Sequence, residues 1–371
     1  MVRNESGSAI LGERIDRRLH LICTNCDETL NFLGADLRPL PVERGDAQAF
    51  QVRDGRGNST IHIFRCIRCG AKTGEPTDPT WAAETFASTK LFSDPSPNGQ
   101  INMRVLVTPV TFLGYTNLSD DEKHVLFNTL VLCAKKLVAV WQHKARYAQM
   151  EDQLVAKALS EAVIGDRNHY REHAQDLFIE FDEFLVQLKS SLDYLVKIPV
   201  PIVGARRWTL RTFGEKGEKV IVALKKNMPA AKRKVARGIA AFVVERHQPW
   251  LTDVITARDR LNHMIGEPVA FEEFMVYPGI ASGSSVIQVH RPRWSPQQTV
   301  REMMDAVWEN HIRLFEDFIM TFLYLRFRQE FALFHGVVDP GASTSPWRVT
   351  SNEETERVVS QPGWRAVRFD D

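Results

Sequence analysis

The sequence predicts a mainly α-helical protein, a helical bundle with a small β-rich module at the N-terminus and a β-hairpin insertion. Apolar residues recur in steps of three and four over 126–140 and 178–195, which is the spacing of helices packed in a bundle. The first 80 or so residues instead contain a segment with hairpin turn signals. We divide the chain into a module at 1–80, a connecting segment at 81–118, a helical domain at 119–336 and a polar C-terminal tail at 337–371.

Capping residues, prolines and apolar spacing predict where the individual helices and strands begin and end. Ser119–Glu122 has the form of a capping box, so a helix should begin there. Pro199 and Pro201 should end the second helix. The expected elements are a hairpin at 49–64, a strand at 103–112, helices at 119–164, 166–198, 229–247, 250–264 and 296–335, a strand at 220–224, and a hairpin at 271–290. The tail, rich in polar residues with Pro and Gly, is expected to be poorly packed.

Composition indicates a folded protein of the cytoplasm. Hydrophobic residues make up 44% of the 371 residues and charged residues 25%, which argues against general disorder. The N-terminal segment 1–16 is polar and charged, unlike a secretion signal. The most apolar stretch, Phe315–Leu325, is interrupted by Asp317, so we expect a buried helix there and no membrane span.

Positive charge is concentrated in one segment. The whole chain has a net charge of only +1, but residues 204–238 contain eleven Lys or Arg against two Glu. Such a field attracts phosphates, although a solvated helix and loop face would have the same composition. The candidate nucleic-acid-binding residues are Arg206, Arg207, Lys225, Lys226, Lys232, Arg233, Lys234 and Arg237.

Four of the five cysteines form two Cys-x-x-Cys pairs, Cys23 with Cys26 and Cys66 with Cys69. Two such turns supply the four sulfur ligands of a tetrahedral structural zinc site. The 39 intervening residues exceed the usual ribbon spacing, and the predicted hairpin would fill that gap. Disulfides or a redox Cys-x-x-Cys are the alternatives. A site closed by four protein ligands has no open position for catalysis, so a bound Zn²⁺ would stabilise the module.

The segment Trp250–His263 contains the pattern Arg-Asp-Arg-Leu-Asn-His. It resembles the signature helix of HEPN domains, which have an Arg, four to six residues and then a His, often with Asn or Asp directly after the Arg. Arg258, Asp259 and His263 match this pattern. The segment Phe181–Leu195, with its Ser-Ser-Leu-Asp-Tyr-Leu ending, resembles the first long helix of many HEPN domains. The resemblance covers residues 166–335 and leaves out the cysteine module.

The resemblance implies a helical bundle that usually forms a homodimer and often cleaves RNA without a metal ion. In that chemistry the RNA 2′-hydroxyl attacks the adjacent phosphate. His263 would transfer protons, Arg258 would hold phosphate oxygens, and Asp259 or Asn262 would orient these groups. Residues i and i+5 are about 140° apart around a helix, so Arg258 and His263 would converge only at a frayed helix end or across a dimer cleft.

Structural explanations of the same residues remain open. Arg258 could pair with Asn262 or a nearby acid, and His263 could be a packing histidine. The competing segment Arg167–His173 has a similar spacing at another position. We find no phosphate-binding Gly-rich loop, no Gly-x-Ser-x-Gly and no His-Glu-x-x-His.

Two classes of function follow from these observations. The first is an endoribonuclease of the kind found in toxin or antiviral defence systems, whose zinc module would bind a protein partner. The second is a non-catalytic module in which the zinc unit and the bundle bind nucleic acid or protein. Exposure of Arg258 and His263 in a shared cleft would favour the first.

Overall fold

The fold is described here from a computed structural model. The described residues are 10–15, 18–23, 29–33, 36–44, 47–53, 59–66, 86–161, 170–172, 175–204, 208–214, 217–227, 233–263, 274–281, 284–337, 342, 344–361 and 363–367. These residues are mainly helical and carry small antiparallel sheets, which confirms the predicted fold class at that level.

Nine α-helices occur in the described part of the chain. They are α1 (Thr108–Phe112), α2 (Asp120–Glu161), α3 (Gln175–Leu195), α4 (Pro199–Val203), α5 (Glu218–Asn227), α6 (Arg233–Ala240), α7 (Gln248–His263), α8 (Val300–Tyr324) and α9 (Thr355–Val359). Two π-helical segments, Asn102–Val107 and Ala241–Glu245, run directly into or out of them.

Helix α8 forms the centre of the helical domain. Its residues Leu314, Phe315, Phe318, Ile319 and Phe322 are fully buried, so neighbouring elements cover it on several sides. The predicted apolar stretch at 315–325 is therefore a buried helix over most of its length, as expected. The helix begins with a capping box in which the Thr299 side chain accepts from the Glu302 backbone, which supplies a partner for one of its first N–H groups.

The long helices α2 and α3 pack along each other. Polar bonds reinforce this contact, since His143 Nδ1 of α2 lies 2.7 Å from Glu180 Oε2 of α3. The predicted capping box is present at the start of α2, where Ser119 N donates to Glu122 Oε2 at 2.8 Å and Glu122 N donates to Ser119 Oγ at 3.3 Å.

Among the described residues, α2 is the one helix that is long and apolar enough to cross a membrane. The core helix of a soluble protein can have the same length and composition. Its residues Leu126, Leu130 and Leu137 are fully buried in the core of the protein. This burial is compatible with a soluble protein.

The strands that the structure describes form five antiparallel sheets. Two lie in the N-terminal part: β1 (Ile10–Ile15), β2 (Arg18–Cys23) and β3 (Thr29–Leu33), and the sheet of β4 (Asp36–Arg44), β5 (Ala47–Arg53), β6 (Ser59–Cys66) and β7 (Phe86–Ser93). In the helical region, β8 (Tyr170–Glu172) pairs with β9 (Phe274–Ala281), which pairs with β10 (Ser284–His290). The short strands β11 (Arg293–Ser295) and β12 (Gln298–Thr299) pair with each other.

Both predicted hairpins are confirmed. Strands β5 and β6 pair with Ala49 opposite Ile63 and Arg53 opposite Ser59, which is the hairpin predicted at 49–64. Strands β9 and β10 form the hairpin predicted at 271–290. The hairpin at 49–64 is one half of a larger sheet, because β7, inside the predicted connecting segment, adds a further strand to β6.

Two predicted strands are wrong. Residues 103–112 are helical. Because Val105, Val107 and Val110 are all buried, the segment is apolar on several sides and its apolar residues do not follow a single helical spacing. Residues 220–224 lie in α5, where Val220 and Leu224, four residues apart, are buried and Val222 is 60% exposed. Short apolar runs do not separate strand from helix by pattern alone.

The end of the chain also differs from the prediction. Helix α8 ends at Tyr324, and residues 331–335 form strand β13 (Phe331–His335) because β14 (Trp347–Ser351) and β15 (Arg365–Ala366) pair with its two edges. Part of the predicted tail is therefore packed, with Trp347 3% and Val358 1% exposed, whereas Val337 is 90% exposed. Helix α3 begins later than predicted, since β8 occupies part of its expected start.

Candidate functional site

Helix α7 carries the predicted Arg258–His263 motif. One side of the helix is apolar and buried, with Leu251, Val254 and Ile255 in the core. Arg258 lies one turn beyond these residues, and its side chain is 26% exposed. The helical spacing that buries residues 251, 254 and 255 therefore brings Arg258 to the edge of the core.

Arg258 forms an ion pair with the next residue. Its Nη1 donates to Asp259 Oδ1 at 2.8 Å, and the Asp259 side chain is 33% exposed. Arg258 also interacts with Asp182 of α3: burial and the nearby Glu183 raise the pKa of Asp182, while the charge of Arg258 opposes that rise. The motif arginine thus pairs with Asp259, and its charge also acts on the Asp182 carboxyl of α3.

The other two motif residues are less fully described. Asn262 and His263 lie on the backbone of α7, but their side chains fall outside the described residues. The expected pairing of Arg258 with a nearby acid is present, since Asp259 is its partner.

The predicted zinc ligands fall at the limits of the described strands. Cys23 is the last residue of β2 and Cys66 the last of β6, so each Cys-x-x-Cys pair starts where a strand ends. Cys26 and Cys69 lie outside the described residues. Within the described part, no group of three or more His, Cys, Asp or Glu is arranged to hold a metal ion. The fifth cysteine, Cys133, is buried in the core, and burial raises the pKa of its thiol to about 12.

The basic segment is partly described. Lys226, Lys234 and Arg237 are exposed on α5 and α6, while Ala236 and Ile239 face the core. The side chains of Lys225 and Arg233, and all of Arg206, Arg207 and Lys232, lie outside the described residues. The described cations therefore point to solvent, as a nucleic-acid surface requires.

The structure also contains a polar cluster around Asp317 that the sequence did not reveal. The Asp317 side chain is 4% exposed. His247 Nε2 lies 3.2 Å from its Oδ2, and Trp347 Nε1 donates to its Oδ1 at 3.3 Å. Trp250 Nε1 donates to His247 Nδ1 at 3.1 Å, which leaves the ring proton of His247 on Nε2, facing Asp317.

A second buried carboxylate adjoins this cluster. Glu316 is fully buried, and its Oε2 accepts from Arg104 Nη2 at 2.7 Å and Arg104 Nε at 3.0 Å. Burial raises the pKa of Glu316 to about 7, although Arg104 acts in the opposite direction. The one signal in the sequence was the acidic interruption of the apolar stretch 315–325.

Ser191 and His311 form a further buried pair, with Oγ and Nε2 2.7 Å apart. The Ser191 hydroxyl donates to the Leu188 carbonyl, so it accepts from the histidine ring. Burial lowers the pKa of His311 to about 3. A fully buried serine whose proton is already committed to the backbone is not a nucleophile, and this pair serves the packing of α3 against α8.

Comparison of the chain with protein-family models, with curated proteins and with solved structures found no match.

Proposed function

We propose that this protein is a HEPN-type, metal-independent endoribonuclease in which Arg258 and His263 act on RNA. The observation that carries the proposal is the state of Arg258, a partly exposed guanidinium fixed by Asp259 at 2.8 Å on a helix that packs against α3. A guanidinium held in this way is oriented before RNA binds, which lowers the entropic cost of gripping a phosphate.

The chemistry is a transfer within the RNA chain. The 2′-hydroxyl loses its proton and attacks the adjacent phosphorus, and the bond to the 5′-oxygen breaks as that oxygen takes up a proton. His263 exchanges these protons, because histidine titrates near neutral pH. Arg258 stabilises the charge on the phosphate oxygens, and Asp259 and Asn262 orient the two groups.

A dimer would complete the site. Along one helix, Arg258 and His263 are separated by about 140° in direction and about 7.5 Å in height. Two copies of α7 related by a two-fold axis would bring both pairs to one cleft. The exposed Lys226, Lys234 and Arg237 would hold the RNA backbone outside the cleft.

The N-terminal module would supply recognition in this proposal. Zinc held by Cys23, Cys26, Cys66 and Cys69 would fix two strand ends and present the module to a protein partner. Control of a ribonuclease by a partner suits a toxin or an antiviral effector acting in the cytoplasm.

Incubation of the purified full chain with total RNA tests the proposal. We expect cleavage that survives a short exposure to chelator and leaves 2′,3′-cyclic phosphate and 5′-hydroxyl ends. Products with 3′-hydroxyl and 5′-phosphate ends would contradict attack by the 2′-hydroxyl.

The alternative function is a non-catalytic module that binds nucleic acid or protein. The ion pair between Arg258 and Asp259 suits this alternative, because such a pair can stabilise the packing of α7 without any role in catalysis. RNA binding by the unmodified protein without any cleavage would establish this alternative.

A further inference from the structure

A small polar pocket lies beside the Asp317 cluster on α8. Its volume is about 150 Å³, and its lining includes Arg104, Arg246, Arg313, Asp317, His335 and Pro346. These residues come from four separate parts of the chain: the π-helical segment before α1, the turn before α7, the middle of α8 and the end of β13 with the loop that follows. The folded domain therefore assembles three guanidinium groups around one cavity.

The three arginines differ in how many of their hydrogen-bond donors already bind other protein groups. Arg104 donates Nε and Nη2 to Glu316. Arg246 is 50% exposed, and its Nη1 lies 3.8 Å from Asp317 Oδ2, beyond hydrogen-bonding distance. Within the described part of the chain, the Arg313 side chain makes no hydrogen bond or ion pair. Arg246 and Arg313 thus retain donors that can bind a ligand.

The carboxylate in the pocket is committed to other groups. Asp317 accepts from Trp347 and faces the Nε2 proton of His247, so both of its oxygens have partners. The remaining acid, Glu316, is paired with Arg104. Among the described lining residues and Glu316, three guanidinium charges face two carboxylates, which is a net positive charge even when both acids are ionised.

Aromatic rings pack against two of the lining residues, His335 and Arg246. The rings of His335 and Trp347 meet edge to face with centroids 4.7 Å apart, and Phe242 contacts both at 5.8 Å. Arg246 lies over the Phe242 ring at 5.4 Å. Arg246 therefore rests on a packed aromatic group, which reduces the cost of ordering its guanidinium around a ligand.

Size decides which anion fits. Pockets for drug-sized ligands have volumes of about 300–1,000 Å³, so a cavity of about 150 Å³ accepts a single small group. Paired guanidinium groups match the oxygen geometry of phosphate, which accepts two parallel hydrogen bonds from each arginine.

We propose that this pocket is a binding site for one phosphate group, held by Arg246 and Arg313 with Arg104 and His335 beside it. The group is either free inorganic phosphate or the terminal phosphate of a nucleotide. The site is separate from the proposed ribonuclease site. The pocket residue Arg246 lies just before the start of α7 at Gln248, and Arg258 lies about 15 Å further along that helix.

Calorimetric titration of the full chain with inorganic phosphate, uridine 5′-monophosphate and uridine tests the site. We expect one saturable site with a Kd of about 1 mM or tighter for the phosphate compounds, and no binding of uridine. Equal affinity for the two phosphate compounds would identify the free anion as ligand, and tighter binding of the nucleotide would identify a terminal phosphate.

Substitutions of the lining arginines test whether phosphate binds in this pocket. Arg313→Gln should weaken phosphate binding at least about tenfold, since a charge-assisted hydrogen bond is removed. Arg246→Gln, at a half-exposed position, should also weaken phosphate binding. This variant tests the site if Arg313→Gln does not fold. Arg357→Gln, an exposed change on α9, should leave binding unchanged. Absence of saturable phosphate binding, or wild-type affinity in a folded Arg313→Gln or Arg246→Gln protein, would overturn the proposal.

Discussion

Buried ionisable side chains are concentrated on α8, where His311, Glu316 and Asp317 lie among apolar neighbours. Each has a specific partner, respectively Ser191, Arg104 and His247. Removing a partner would leave a buried polar group unsatisfied, which costs more than the bond itself contributes. These residues therefore restrict how α8 can pack.

The pH dependence of stability should show two of these residues acting in opposite directions. Burial lowers the pKa of His311 from 6.5 to about 3, so below pH 6.5 the unfolded chain binds a proton that the folded chain does not, and stability falls. Burial raises the pKa of Glu316 from 4.5 to about 7, so between these values the folded chain binds the extra proton and stability rises on acidification. Each effect amounts to about 1.4 kcal/mol per pH unit.

His311→Asn should separate the two effects. As the pH falls from about 6.5 to about 4.5, the free energy of unfolding of the variant should rise relative to wild type, by up to about 1.4 kcal/mol per unit. Urea unfolding across this range measures the difference. Ser191→Ala, which keeps the titrating ring, should retain the wild-type slope. Parallel profiles for wild type and His311→Asn would show that His311 does not resist protonation.

The sequence allowed only part of the Asp317 cluster to be anticipated. An acid in an apolar stretch is visible in the sequence, but Arg104 lies 212 residues from Glu316, and Trp347 approaches Asp317 through strand pairing at the end of the chain. Contacts of this kind depend on how distant elements pack, which local pattern does not specify. The four-residue motif on α7 is local, so its residues could be proposed directly from the sequence.

Among the secondary-structure elements, long amphipathic helices were predictable and short elements were less so. Helix α2 has its predicted cap and apolar spacing. Residues 331–335, expected to extend the last helix, form β13 because two strands from the following segment pair with them. Tertiary pairing overrides helical spacing when the segment is only a few residues long.

Helices α5 and α6 present the described part of the basic segment to solvent. If this face binds an RNA backbone, replacing Lys226, Lys234 and Arg237 together with Glu should weaken RNA binding and flatten its dependence on salt. The slope of log K against log salt should fall by about one unit for each phosphate that the variant no longer neutralises. Fluorescence anisotropy at several salt concentrations measures it. Lys135→Glu, an exposed charge reversal on α2, is the matched control. An unchanged slope in the triple variant would assign this charge to solubility.

A β-rich N-terminal part of the chain, which contains the two Cys-x-x-Cys pairs, precedes the helical domain. Metal analysis of the purified chain should find one zinc for each protein molecule, because the four paired cysteines match a closed structural site. Cys26→Ser should lose the metal and destabilise the module, since metal binding supplies much of the folding energy of a unit of this size. Cys133→Ala, which removes the buried fifth cysteine, should retain the zinc. A zinc-free wild-type protein would contradict the site.

We propose that α7 carries the reacting groups of a ribonuclease. Rates of RNA cleavage test this proposal when they are measured for wild type, Arg258→Ala, His263→Ala and the neighbouring surface control Arg260→Ala, each confirmed as folded by circular dichroism. We predict that His263→Ala and Arg258→Ala each cut at least about 100-fold more slowly, because each removes a group that acts in the transition state. Arg260→Ala, at an exposed position, should cut at the wild-type rate. A wild-type rate of cleavage by a folded His263→Ala protein would rule out His263 as a reacting group.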